Sequence, residues 1–375
     1  MSFIFTDEQT MLLDAATRLV EENGGSAAVR AAGASDRGYD AAVWQQMVEM
    51  GWSAIVVPEA QGGLGLGQVE LSIVAAAAGR ALLPSPLLST AIAARALVLA
   101  GTPAQQDRWL PQIAAGELTA TVALTGVEGC YRPGDVAATL RTDGDGYRLD
   151  GSAGFVLDGH DAGLIIVAAK LDGEIRFVAV PRGEAGLSAE RLPWLDITRA
   201  AARLGFDNVT VPADAVMAGG RFADVLAFAN ATLAAEQMGA AAAALDITVD
   251  YAKQRVQFGQ PIGAFQAVKH ALADLALLVE AATSAVWYAA ACADQRPEEF
   301  AEAAATAKLM ASDAIVKCSA DMIHYHGGIG YTWEHDAHLY FRRGRTSASL
   351  FGDADAQTKI IADAIGLGAE TNDAA

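Results

Sequence analysis

Apolar residues recur at helical spacing from the start of the chain. Met11, Leu12, Ala15, Ala16, Leu19 and Val20 fall on one helix face, and Thr6 followed by Gln9 is a capping-box start. A second helix is predicted around Val43, Trp44, Met47 and Val48, stopping near Gly51. Residues 56–67 read as a glycine-rich loop, followed by a helix from about Val69. Pro84 and Pro86 break the chain before a helix over 87–100, and 105–115 is a short helix ending at Gly116. From Leu118 to about Ala218 the period shortens to that of strands. Short apolar runs at 122–125, 147–150, 154–157, 164–169, 175–180 and 208–212 alternate with turn residues, and Asp172-Gly173 is a hairpin signal. Long alanine-rich helices are then predicted over 222–254, 268–293 and 298–324, with a last one over about 353–365. Long helices with short connections make a bundle.

The reading is an α+β multi-layer chain: an N-terminal α-helical domain (1–116), a middle β-barrel or sandwich domain (117–220), a C-terminal four-helix bundle (221–368) and a disordered tail (369–375). Composition narrows the function. The chain has 375 residues, 53% of them apolar, enough for a large core. A formal charge of −19 excludes the basic footprint that nucleic-acid binding needs, so an anionic ligand requires a local basic cluster. Cys130, Cys292 and Cys318 are widely spaced with no CxxC, which fits buried thiols in a reducing compartment. The first residues lack the basic region of a signal peptide, and no apolar run of membrane-spanning length lacks a polar break. The expectation is a soluble, cytoplasmic protein without nucleic-acid or membrane partners.

Two stretches carry candidate chemistry. Arg255-Val-Gln-Phe-Gly259, with Phe265-Gln266 after it, lies between two long helices. His326-Gly-Gly-Ile-Gly-Tyr-Thr-Trp-Glu-His-Asp-Ala-His338 places three glycines in four positions between helical patterns, where a backbone can approach a ligand closely. The glycine-rich loop at 56–67 has neither the strand-turn-helix context of a dinucleotide fingerprint nor the Lys-Ser/Thr of a phosphate loop. His324, His326, His335 and His338 invite a metal reading, with His335 and His338 on one helical face, but no HExxH-like spacing is present and no metal is expected. Arg342, Arg343 and Arg345 read as a solvated face, or as one meeting an acidic partner or a CoA phosphate.

In this order the motifs resemble the acyl-CoA dehydrogenase family over nearly the whole chain. Phe5-Thr-Asp-Glu-Gln9 is similar to the family's opening helix, and Pro58-Glu-Ala-Gln-Gly-Gly-Leu-Gly65 to its Pro-Glu-x-x-Gly-Gly-x-Gly loop. The Arg255 and Gly327 stretches resemble its C-terminal cofactor motifs. The His-Gly-Gly-Ile-Gly run is similar to a subgroup that includes one subunit of the two-subunit enzymes of bacterial steroid side-chain degradation. The resemblance implies FAD as cofactor, an acyl-CoA substrate, a homologous partner subunit and an electron-transfer flavoprotein as acceptor. It implies that Arg255, Phe258, Phe265, Gln266, His324, Gly327 and Gly328, with Thr125 in the middle domain, contact the cofactor.

The chain also departs from the family. Its base is a glutamate, from a Tyr-Glu-Gly after the glycine turn or from the first long C-terminal helix. Phe351 and Ala229 stand at those positions, with Ala227 and Asn230 at the substrate contacts. The Thr-Glu-Pro-x-x-Gly-Ser-Asp motif keeps only Thr125, and the Trp-Ile-Thr/Ser motif reads Phe155-Val-Leu157. Asp353 is the one acid near the lost base, but after Gly352 it is well placed to cap the last helix. The expected function is a subunit that completes the FAD site of a catalytic partner. The alternatives are a self-sufficient enzyme with Asp353 as displaced base, or a non-catalytic scaffold or metal protein on the same fold.

Overall fold

The structure is a computed structural model and describes residues 5–126 and 128–367; the tail expected at 369–375 lies outside them. Six helices come first: α1 (Asp7–Asn23), α2 (Ser26–Ala34), α3 (Ala41–Glu49), α4 (Gln68–Arg80), α5 (Leu87–Ala100) and α6 (Pro103–Ala114). Thr6 caps α1 as its sequence requires, with Thr6 Oγ1 accepting from the Gln9 N–H (3.2 Å) and Gln9 Oε1 from the Thr6 N–H (3.1 Å). The helix α2 went unpredicted: it is short, rich in alanine and glycine, and has no side-chain cap.

Eight strands form one sheet: β1 (Ala120–Ala123), β2 (Thr139–Asp143), β3 (Gly146–Leu157), β4 (Leu164–Leu171), β5 (Glu174–Pro181), β6 (Leu187–Arg191), β7 (Ala201–Pro212) and β8 (Val216–Gly219). Their order is β6-β7-β3-β2-β4-β5-β8, with β1 parallel to β4. Asp172 and Gly173 both take positive φ (51° and 86°) in the two-residue turn between β4 and β5, as an Asp-Gly hairpin requires. The two strands expected at 147–150 and 154–157 are one strand, β3, interrupted by irregularities at Leu149/Gly151 and Ala153/Val156. These bulges hide its continuity from the alternation pattern. One sheet face packs on α5 through residues that include Leu157, Ile166 and Phe177; the other encloses Leu149, Val167, Val178 and Val209.

The C-terminal part comprises α7 (Phe222–Gln254), a two-stranded hairpin of β9 (Val256–Gln257) and β10 (Gln260–Pro261), α8 (Gln266–Gln295), α9 (Phe300–His326), α10 (Ala337–Ser349) and α11 (Ala354–Ala364). At 33 residues α7 is about 50 Å long and touches α4, α8 and α9. Small residues let it approach closely: a Cβ on Gly79 would lie 2.1 Å from Glu236 O, and one on Gly239 2.0 Å from Ala76 O. The length and apolar composition of α8 would suffice to cross a membrane, yet it packs against α7 and α9 in the bundle. The helix α10 is a correction to the sequence reading. His335 precedes it and only His338 lies within it, so the two histidines do not share a helix face.

Candidate cofactor site

The two motifs of the C-terminal part meet at one end of the bundle. The backbone N–H of Arg255 bonds to Tyr251 O at 2.8 Å, closing α7, and Ile262 N returns a bond to Arg255 O at 2.8 Å. Between them Phe258 and Gly259 form a two-residue turn with φ of +53° and +80°. Two positive φ values define the hairpin turn for which a glycine at the second position is suited. The turn holds Phe258 93% exposed, edge-on to Phe265 at 6.2 Å. Gln266 opens the 30-residue α8, whose first N–H groups have no partner within the helix. The Arg255 side chain is exposed and makes no hydrogen bond or ion pair among the described residues.

The glycine turn is tied to the same place. Tyr251, one turn before Arg255, stacks on His326 with ring centroids 4.2 Å apart, and its hydroxyl donates to His326 O at 3.4 Å. Two of the three glycines are required by the fold and one is not. Gly327 has φ +65°, a conformation that favours glycine. Gly330 is required by packing, since a Cβ would lie 2.7 Å from Ile323 O. Gly328 has neither constraint: a Cβ there would meet nothing within 4 Å. His324 is exposed on the last turn of α9, against Tyr325. Thus Arg255, Phe258, Phe265, Gln266, Gly327 and Gly328 share one end of the bundle. A solvent-facing guanidinium, a helix N-terminus and an unhindered backbone suit a pyrophosphate.

Thr125 does not join them. It is 3% exposed, and its hydroxyl donates to Gly154 O at 2.7 Å. It lines a small, partly open pocket with Tyr131, Leu157 and Phe351, whose free space of about 10 Å³ has room for about one water and not for a flavin ring. Tyr131 and Phe351 meet edge to face, centroids 5.5 Å apart, and fill this space. Phe351 takes φ +58°, rare for an aromatic residue, and its carbonyl accepts from the Gln357 amide at 3.1 Å. Ala229 is fully buried, and Asn230 accepts from Gln357 at 3.5 Å. Asp353 caps α11, accepting from Ala356 N at 3.0 Å.

A charged cluster was missed. Arg343, expected on a solvated face, is buried; its Nε lies 2.9 Å from Asp196 and its Nη1 2.6 Å from Glu236. Arg199 also pairs with Glu236, and Asp158 lies close by, bonded to the Ser89 hydroxyl at 2.6 Å. Burial raises the Asp158 carboxyl to about 6. Of the three arginines, Arg342 lies over the Trp333 ring at 4.8 Å and donates to Leu195 O, while Arg345 alone is freely exposed. A lone Arg pattern gives no sign of burial; the acids that neutralise it come from 107 and 147 positions away. No group of three His, Cys, Asp or Glu among the described residues is arranged to hold a metal ion.

Comparison with known proteins agrees with this architecture. Residues 6–117 match the family "Acyl-CoA dehydrogenase, N-terminal domain", and residues 221–366 match "Acyl-CoA dehydrogenase, C-terminal domain". The chain is 39% identical to the acyl-CoA dehydrogenase IpdE2 of Mycobacterium tuberculosis over 347 residues, covering 92% of this chain and 93% of that one. Its structure is similar to the ChsE4–ChsE5 complex from Mycobacterium tuberculosis (TM-score 0.90, 27% identity, 97% of this chain and 99% of the other). It is also similar to the steroid acyl-CoA dehydrogenase Tcur3481–Tcur3483 (TM-score 0.88, 31% identity, 96% and 98%).

Proposed function

The chain belongs to the acyl-CoA dehydrogenase family, and from that premise we propose that it is the subunit completing the FAD site of a catalytic partner. Members of this family are FAD-dependent oxidoreductases, and FAD, when bound, would supply the hydride acceptor for oxidation of an acyl-CoA thioester. Arg255 and Gln266 hold the pyrophosphate of that FAD, Gly327 and Gly328 admit it to the backbone, and Phe258, Phe265 and His324 flank it. The base comes from the partner, because Phe351 and Ala229 cannot accept a proton. One contrast carries this reading: an unpaired, exposed Arg255 lies at the same bundle end as a glycine the fold does not require, while the cavity beside Thr125 is filled by the chain's own rings.

Asp353 as a displaced base has less support, because its carboxylate is engaged at the start of α11. The partner is a homologous subunit, the substrate a ring-bearing acyl-CoA and the acceptor an electron-transfer flavoprotein, in the cytoplasm. The structural division we propose remains 1–116, 117–220 and 221–368. The test is expression alone and then with its genomic neighbour of the same family. Alone, the chain is expected colourless or well below one FAD per subunit; together, the two should hold FAD and reduce an artificial acceptor with acyl-CoA. A stoichiometric yellow protein that turns over alone would overturn the proposal.

A further inference from the structure

Beneath the glycine turn, three imidazoles sit where four helices converge. His326 ends α9, His335 and Asp336 lead into α10, and His338 lies in its first turn. The His326 and His335 ring centroids are 4.4 Å apart, with Tyr251 of α7 stacked on His326. Trp333 stands edge-on to His338 at 4.8 Å. From α2, Arg30 spans the junction. Its Nη2 reaches Asp336 Oδ1 at 3.0 Å, His335 O at 3.4 Å and His338 Nε2 at 3.2 Å, and Ser26 donates to the same Asp336 oxygen.

These contacts fix the protonation of two rings. A guanidinium only donates, so His338 Nε2 must accept, which leaves its single proton on the buried Nδ1. The backbone N–H of Ala337 points at His335 Nδ1 from 3.1 Å, so that nitrogen accepts too. A second proton on either ring must go onto a nitrogen already receiving an N–H. His326 donates from Nδ1 to Met322 O at 2.7 Å. The charged groups facing the rings are Arg30 of α2, Asp336 just before α10 and Arg342 within it, with each ring opposing a charge on the next. Of these charged groups only Asp336 favours protonation, and it is already engaged by Arg30 and Ser26; hydrogen bonds to Met322 and Trp333 backbone favour it at His326 and His338.

We infer that this junction is a proton-operated latch. With neutral imidazoles, α2 holds the start of α10 and sets the glycine turn. A proton on His335 or His338 breaks the Ala337 or Arg30 contact and releases residues 327–338 from α2. Burial, reinforced by neighbouring positive charge, holds all three rings below the ordinary histidine range. The closed latch is therefore fully stable above the ordinary value of about 6.5 and weakens as pH falls below it, because the open form takes up the proton first. Its effect on cofactor binding rests on the proposed function; the opening itself does not.

The test is hydrogen exchange of the whole chain at about pH 5.5 and about pH 7.5, corrected for intrinsic rates. Segments 26–34 and 327–345 are expected to lose protection by about tenfold or more at the lower pH, while 87–100 keeps its own. The variant His335→Asn/His338→Asn, whose amides still accept but take no proton, should lose that response. Equal protection at both pH values in the wild type, or an unchanged response in the variant, would overturn the latch. FAD retention by the complex at the same two pH values is a separate readout. If the latch opens and FAD stays, the latch stands and the pyrophosphate site proposed at this turn fails.

Discussion

Two regions of this chain, both matched to the cofactor site under the proposed function, differ in how they are built. At the cavity beside Thr125, apolar groups occupy the space: Tyr131 and Phe351 pack ring to ring, with Leu157 beside them. At the end of the bundle, groups with no structural need remain: Arg255 is unpaired, Phe258 projects into solvent and Gly328 faces open space. Burying aromatic rings stabilises a fold, whereas an exposed aromatic residue and an unpaired arginine contribute little to it. The first region is core, and the second has the exposed, unpaired groups of a binding face.

Substitutions can separate the two. The largest effect is expected for Phe351→Ala, which removes a buried ring and leaves a void. It should cost about 3–5 kcal/mol in denaturant melts, whereas Phe258→Ala should stay within about 0.5 kcal/mol. Similar losses for both would erase the contrast.

Asp158, adjoining the closed region, gives an intermediate effect. Its carboxyl is raised by burial to about 6 against the usual 3.8, so the folded state keeps a proton that the unfolded state has lost. The stability this proton contributes is present below 3.8 and fades as pH rises through about 6. Asp158→Asn, neutral throughout, should gain about 1–3 kcal/mol over wild type at about pH 8, and less at about pH 5. A gain independent of pH would mean that Asp158 is not held protonated.

The smallest effect is expected for Asp353→Asn. Asn caps a helix about as well as Asp, so stability should change by less than about 0.5 kcal/mol, with turnover of the assembled enzyme preserved. A loss of several orders of magnitude in rate with FAD still bound would make Asp353 the base.

The legibility of the fold follows the same divide. The limits of α7 could be read from its alanine-rich run and the Gln254-Arg255 stop, and the β4–β5 turn from Asp172-Gly173. The strand β6 could not, because its side chains are mostly exposed and show no alternation. Nor could α10, whose His and Arg residues look solvated in sequence but bond to α2 and to Asp196 across the chain. The resemblance pointed to Arg255, Gln266 and Gly327, which lie at one end of the bundle. It said nothing of the Arg199–Glu236–Arg343 cluster or the Arg30 junction, whose members are brought together only by tertiary packing.

The most direct measurement is FAD affinity of the two-subunit complex with Arg255→Ala in this chain only. A pyrophosphate at an interface leaves water only if its charge is paired and hydrogen-bonded. Charge-assisted bonds of this kind are worth roughly 1.5–3 kcal/mol each, so losing one should weaken FAD about tenfold or more. Arg255→Lys should fall between, keeping the charge without the two-pronged geometry. Because the Arg255 side chain is exposed and makes no hydrogen bond or ion pair among the described residues, folding should be unchanged. Wild-type FAD affinity in the Arg255→Ala complex would contradict a cofactor site shared between the subunits.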